Sequence, residues 1–344
     1  MVGSTGPFAI PLPARIQPLS GWPGGRPWRH SEVHVAALSD GVSPALFATP
    51  SATGTVPFGE HRTWYRVTGE LDSGNPPLVV MHGGPGSTHD YLLSLTELAA
   101  QGWPVIHYDQ LGNGASTHLP DRGADFWTVD LFLRELDNLL GHLGVADDYI
   151  LFGQSWGGML AAEHAVRRPA GLRGMVIANS PASMPLWRAE ALRLRAGLPE
   201  ALQEALTRHE ATGSFDDPEY QHAMYAYYQR HVCRADPIPP EVMRTLMALG
   251  SDPTVYGTMN GPNDFTVVGT LRDWSVIDRL HAVEVPTLLV SGRYDEATPA
   301  TVQPFYDEIP DVSWEILEKS SHMPHVEEPE RFLEVMTEYL GSLG

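Results

Sequence analysis

The stretch Gly153-Gln154-Ser155-Trp156-Gly157-Gly158 constrains this chain more than any other. It reads G-x-S-x-G, and its neighbours matter as much as the motif. The apolar run Tyr149-Ile150-Leu151-Phe152 leads in, and Met159-Leu160-Ala161-Ala162-Glu163-His164, with helical character, leads out. Strand, tight turn and helix are the setting in which the motif forms a nucleophile elbow. Glycine at 153 and 157 leaves room for the turn, because a Cβ there would crowd adjoining backbone. The turn lifts the Ser155 hydroxyl off the sheet, at a helix start whose free N–H groups face any negative charge forming there. The plainer alternative is a serine that only caps a helix.

The surrounding pattern alternates strands with helices. Gly59 to Thr68 reads as an opening strand pair. Pro77 to His82 is a buried parallel strand running into Gly83-Gly84-Pro85-Gly86, and Val105 to Tyr108 is the next strand. Tyr91 to Ala100 reads as a helix, and Thr128 to Leu143 as an amphipathic one with apolar residues at 129, 132, 133, 136, 139, 140 and 143. After the elbow come a helix to about Arg168 and the strand Met175 to Ala178. The spacing predicts a doubly wound, mostly parallel sheet. The rhythm stops between 183 and 275. Leu186 to Leu206, Tyr220 to Cys233 and Glu241 to Leu249 look helical there, and Pro237, Pro239 and Pro240 break the run. This is a helical cap inserted after the sixth strand. The sheet resumes with Val285 to Val290 and Val312 to Leu317, and the helix Pro329 to Leu340 closes the chain. The expected units are a core of 54–182 with 276–344, a cap of 183–275, and a disordered or non-native extension over 1–53.

That extension is rich in Pro, Gly and Ser. Its most apolar stretch, Val33 to Ala48, is interrupted by His34, Asp40 and Pro44, so a secretory signal is disfavoured and the cytoplasm is expected. A chain of 344 residues, 42% hydrophobic and 19% charged, suits a soluble protein with a large core. The net charge of −20 argues against nucleic acid and anionic membrane surfaces as partners. No apolar run approaches a membrane span. Cys233 is the only cysteine, so an intrachain disulfide and a cysteine metal site are both excluded, and it receives no role.

A nucleophilic serine needs a base, and the base needs an orienting acid. In a sheet of this kind the chain order is Ser, then Asp or Glu, then His. Two loops follow strands beyond the cap: Ser291-Gly292-Arg293-Tyr294-Asp295-Glu296 and Ser320-Ser321-His322-Met323-Pro324-His325. Both lie where doubly wound sheets place their sites. Asp295 is the candidate acid, with Glu296 its rival. His322 is the candidate base, with His325 its rival. An oxyanion needs backbone donors. Trp156 N–H is one candidate; the other comes from His82-Gly83-Gly84-Pro85-Gly86, with Gly84 favoured over the reading of that loop as a plain turn.

Taken together, His82 to Gly86, Tyr108 to Ser116, Gly153 to Gly158 and Gly292 to Glu296 resemble the proline iminopeptidase family of α/β-hydrolases, over about residue 55 to the end. The first motif and the tryptophan after the serine are fairly specific to it. The resemblance implies an α/β-hydrolase fold and a serine hydrolase acting on small peptides or amino-acid amides, with no cofactor and no metal. It also implies that Glu296 and a cap acid in Met259-Asn260-Gly261-Pro262-Asn263-Asp264-Phe265 bind the substrate's free amine. Asp264 stands where the family usually has Glu, and Ser87 where a further glycine is common. Carboxylates repel an oxyanion, so two beside a serine make sense as a clamp for a cation. Solvated surface acids are the bland alternative. An amidase or esterase is the nearest rival activity. A silent hydrolase-like receptor would be expected to lack a triad member, and dehalogenase or epoxide-hydrolase chemistry needs Asp at position 155.

Overall fold

The structure, a computed structural model, describes residues 47–343. Most of the expected N-terminal extension, residues 1–46, lies outside them. Eight strands form one sheet: β1 (Ala52–Phe58), β2 (His61–Thr68), β3 (Leu78–Met81), β4 (Val105–Asp109), β5 (Tyr149–Gln154), β6 (Leu172–Ala178), β7 (Thr287–Gly292) and β8 (Val312–Leu317). Their spatial order is β1-β2-β4-β3-β5-β6-β7-β8. The β1–β2 and β2–β4 pairs are antiparallel, and every later pair is parallel.

The opening pair begins earlier than its sequence suggests. The hairpin turns at Gly59-Glu60, with Phe58 opposite His61. Strand β1 is hard to read because only Val56 of its seven residues is buried and Pro57 interrupts it. Proline is tolerated there because β1 is an edge strand.

Alternation along the parallel strands divides the core between the sheet's two faces. Val79, Met81, Leu151, Met175 and Ile177 pack on one side with the helices α1 (Val129–Leu143) and α2 (Trp156–Ala165). Leu78, Val80, Ile150, Phe152 and Val176 pack on the other with the C-terminal helix. Helix α1 starts where the Thr128 hydroxyl accepts the Leu131 N–H, and it buries Leu131, Phe132, Leu136, Leu139 and Leu140. Its Glu135 is buried too. It accepts the Leu111 N–H at 2.9 Å and the Thr63 hydroxyl, so it joins helix, loop and strand β2. The segment Asp90–Gln101 is helical as expected, wound as a 3-10 helix.

Five α-helices between β6 and β7 form the cap: α3 (Met184–Ala196), α4 (Glu200–Thr212), α5 (Pro218–His231), α6 (Pro240–Ser251) and α7 (Thr254–Met259); a 3-10 helix, Ile277–Ala282, then leads into β7. The single helix expected over Leu186–Leu206 is two, because Gly197 and Pro199 interrupt it. Helix α8 (Pro299–Glu308) joins β7 to β8, and α9 (Pro324–Glu327) and α10 (Pro329–Ser342) end the described chain. Among the described residues no helix is long and apolar enough to cross a membrane.

Candidate active site

The elbow has the backbone its sequence requires. Ser155 sits at φ 55°, ψ −121°, a conformation that costs a non-glycine residue strain and is kept where surrounding structure enforces it. The enforcement is close packing. A Cβ on Gly153 would lie 2.2 Å from the Gly157 carbonyl oxygen, and one on Gly157 would lie 2.1 Å from that of Met81. Strand β5 therefore passes directly into α2 with Ser155 at the joint.

Asp295 follows β7 and His322 follows β8, both beyond C-terminal strand ends, at the end of the sheet where Ser155 follows β5. Asp295 Oδ1 lies 2.7 Å from His322 Nδ1 and accepts the Ala297 N–H at 2.8 Å. Its Oδ2 accepts from Asn179 Nδ2 at 2.6 Å. Both Asp295 and His322 are buried. The rival histidine is elsewhere. His325 is buried between the rings of Tyr91 and Phe332, 5.6 and 5.8 Å away, and burial pushes its pKa down to about 3. The rival acid, Glu296, makes a different approach: its Oε1 is 3.9 Å from His322 Nε2, on the side of the ring away from Asp295.

A second tier of polar residues escaped the sequence reading. Gln154 donates to the His322 carbonyl at 3.0 Å and accepts from Tyr91 at 2.5 Å. Tyr91 in turn accepts the Gly83 N–H at 2.8 Å. Gln110 accepts from the Trp156 indole at 2.8 Å, donates its side-chain amide to the His82 carbonyl at 2.9 Å, and donates its backbone N–H to His82 Nε2 at 3.0 Å. Burial holds His82 below its ordinary pKa, so the ring is a neutral acceptor at Nε2 and donates from Nδ1 to the Gly83 carbonyl. These bonds fix the loop carrying Gly84 against the turn carrying Trp156. Gly84 itself has φ 109°, and a Cβ there would lie 2.3 Å from the Gly86 nitrogen. The available signal was a polar residue closing an apolar strand: Gln154 after β5's apolar run, and Asn179 after β6.

The cap brings Asp264 to the same place. Its Oδ1 accepts from Tyr256 at 2.8 Å, and its backbone carbonyl accepts from the Trp187 indole at 2.9 Å. Burial raises the Asp264 pKa, against the pull of the Tyr256 and Tyr228 hydroxyls. Glu296 is raised well above the carboxylate range, by burial first and then by the nearby Asp264 and Asp295. Its Oε2 is buried without a hydrogen-bond partner. Both carboxyl groups border the space around Ser155.

Two cavities meet at this point. They span about 1070 Å³ and 350 Å³ of space between atoms, part of it open to solvent. Gly84, Ser155, Asp264 and Glu296 line both. Away from them, the one group of possible metal ligands among the described residues is His209, Asp217 and Glu219 on the cap. These already satisfy one another, with His209 Nε2 3.1 Å from Glu219, which also binds Arg208. Cys233 is buried in the apolar core, and burial pushes its thiol up to about 11.

Residues 76–329 match the family described as "alpha/beta hydrolase fold". The proline iminopeptidase of Clostridium botulinum is 38% identical over 289 residues, covering 83% of this chain and 97% of that one. The crystal structure of VinJ is 66% identical with a TM-score of 0.85, covering 86% of this chain and all of that one. The crystal structure of the proline iminopeptidase of Mycobacterium smegmatis is 50% identical with a TM-score of 0.79, covering 85% and 98%. An α/β sheet with an elbow and a helical cap, matched over this length, leaves one assignment: the chain belongs to the proline iminopeptidase family of α/β-hydrolases.

Proposed function

We propose that the protein is a serine hydrolase that releases an N-terminal residue from a peptide or amide through an acyl-enzyme, with Ser155, His322 and Asp295 as its triad. Ser155 Oγ attacks the carbonyl carbon while His322 Nε2 takes its proton. Asp295 accepts from His322 Nδ1–H and holds the tautomer that leaves Nε2 free. The oxyanion is received by the N–H groups of Trp156 and Gly84; Gly83's own N–H is already committed to Tyr91. The imidazolium protonates the departing amine, water attacks the ester in the same way, and the free residue leaves. Glu296 and Asp264 hold the substrate's ammonium, so that the enzyme acts one residue from the N-terminus.

The observation that carries this reading is the 2.7 Å His322–Asp295 contact at the rim of a cavity that Ser155, Glu296 and Asp264 also line. The test is hydrolysis of prolyl p-nitroanilide together with labelling by a fluorophosphonate. Ser155→Ala and His322→Ala should each lower kcat by at least about 10³-fold, because triad members act as a unit. His325→Ala should keep activity within about tenfold of wild type and lower the melting temperature. Severe loss in His325→Ala with a folded, active His322→Ala would sink the assignment.

A further inference from the structure

The two cavities at Ser155 differ in one respect that matters to the chemistry. His322 lines the larger and does not line the smaller, which is bordered instead by Trp156. In the reaction set out above, His322 passes its proton to the departing amine nitrogen. The leaving group must therefore lie on the His322 side, and the acyl residue on the other.

From this placement we infer the substrate class: an aminoacyl amide of a long, apolar, uncharged amine, whose acyl side chain fills the smaller cavity and whose amine body fills the larger. The inference rests on the hydrolase reading. The smaller cavity is walled by Met159, Pro181, Met184, Trp187 and Leu271, which suits a small apolar side chain such as that of proline. The larger is walled by Phe215, Met224, Val232, Leu246, Leu249 and Met323. No arginine or lysine lines it, while Asp264 and Glu296 face its inner end. A dipeptide would bring its terminal carboxylate into this space, one residue from the scissile bond, with no cation to meet it and two acids close by. Burying an unpaired charge in this way is costly. An apolar amine has no such penalty and gains from every methylene it buries. The bond changes are those of amide hydrolysis. The Ser155 Oγ–carbonyl bond forms, the C–N bond breaks, and the nitrogen leaves with the proton taken from Ser155. Water then supplies hydroxyl to the acyl group and a proton, through His322, to Ser155.

The experiment is a series of prolyl n-alkylamides, from methyl to octyl, set against Pro-Gly and Pro-Leu, with prolyl p-nitroanilide as reference and the full chain as enzyme. kcat/KM should rise by about fourfold per methylene over the first few carbons, from a transfer free energy of about 0.8 kcal/mol each. The total gain should reach at least about 100-fold, and the two dipeptides should fall at or below the methylamide. Leu246→Trp, which fills the larger cavity, should flatten the series, with fluorophosphonate labelling and a melting curve reporting that the variant is folded. A flat wild-type series, or dipeptides cleaved as well as the octylamide, overturns the substrate class. If the enzyme still labels and still cleaves the anilide, only the substrate class has failed. If it neither labels nor cleaves any amide, the hydrolase reading has failed and this inference with it.

Discussion

At the scale of single residues, the site is a contest between charge and burial. Asp295 is surrounded by donors, from His322, Asn179 and Ala297. Glu296, one residue on, is buried beside the charges of Asp264 and Asp295 and is raised well above the usual carboxylate range. An ammonium needs the ionised clamp. As pH falls through the raised pKa, the clamp gains a proton and loses its attraction for the amine. kcat/KM for free-amine substrates should therefore show an acid-side step that neutral esters lack, since titration of the base is common to both. Glu296→Gln should remove that step and lower kcat/KM for amine substrates by about 10²-fold or more, because breaking a buried ion pair costs roughly 3–5 kcal/mol. Equal pH profiles for amine and ester substrates would refute the clamp. Ser155, Asp295 and His322 could be named as candidates because their order and the strand ends they follow can be read from the sequence. Gln154, Gln110 and Tyr91 could not, because what makes them matter includes partners as far as 168 positions away in the chain.

Whole elements are held by contacts that leave no tolerance. Helix α2 meets strand β3 at Gly157, where a Cβ would lie 2.1 Å from the Met81 carbonyl oxygen. Gly157→Ala must push the helix, and with it Ser155, away from the sheet. The expected cost is roughly 1–3 kcal/mol in chemical denaturation, the range for overpacked cores, with a parallel loss of hydrolysis. A variant as stable and as active as wild type would show that the joint can yield. The central parallel strands β3, β5 and β7 were legible because they are short, largely apolar runs buried along their whole length. The cap was legible as helical but not in the number or extent of its helices, three being read where five stand: α3, α4 and α5 bury few residues, so their apolar stripes are narrow and their ends depend on Gly197, Pro199 and Pro218. Strand β1 was missed for the same reason, one buried side chain giving no alternation to read.

At the scale of the whole molecule, stability depends on a buried acid outside the active site. Burial raises the Glu135 pKa to about 7, from an ordinary 4.5. The folded state thus holds this proton more tightly than the unfolded chain does. Stability from this group is full below about pH 4.5 and is lost as pH rises through 7. Glu135→Gln keeps the shape and an acceptor for the Leu111 N–H but cannot ionise. Its melting temperature relative to wild type should rise steadily between pH 4.5 and pH 7 and level off above. A difference that stays constant with pH would show that Glu135 does not titrate in this range. Nothing in the sequence marks Glu135. It occupies a helix position that pattern alone assigns to a solvated charge, and only the approach of β2 and the Leu111 loop encloses it.

His322 borders Ser155 on one side only. In the reaction proposed above, the proton leaving with the amine and the proton drawn from the deacylating water both pass through the same ring nitrogen. The water must therefore stand where the amine nitrogen stood, and the two cannot be present together. A bound amine shields the acyl-enzyme and can recapture it, so the intermediate partitions between two acceptors. Turnover of a prolyl ester in the presence of octylamine should yield prolyl octylamide alongside proline, in a ratio that climbs with amine concentration and that methylamine reproduces only at far higher concentration. Mass spectrometry of the products reads that ratio directly, and the protein then acts as a catalyst of amide synthesis as well as of amide cleavage.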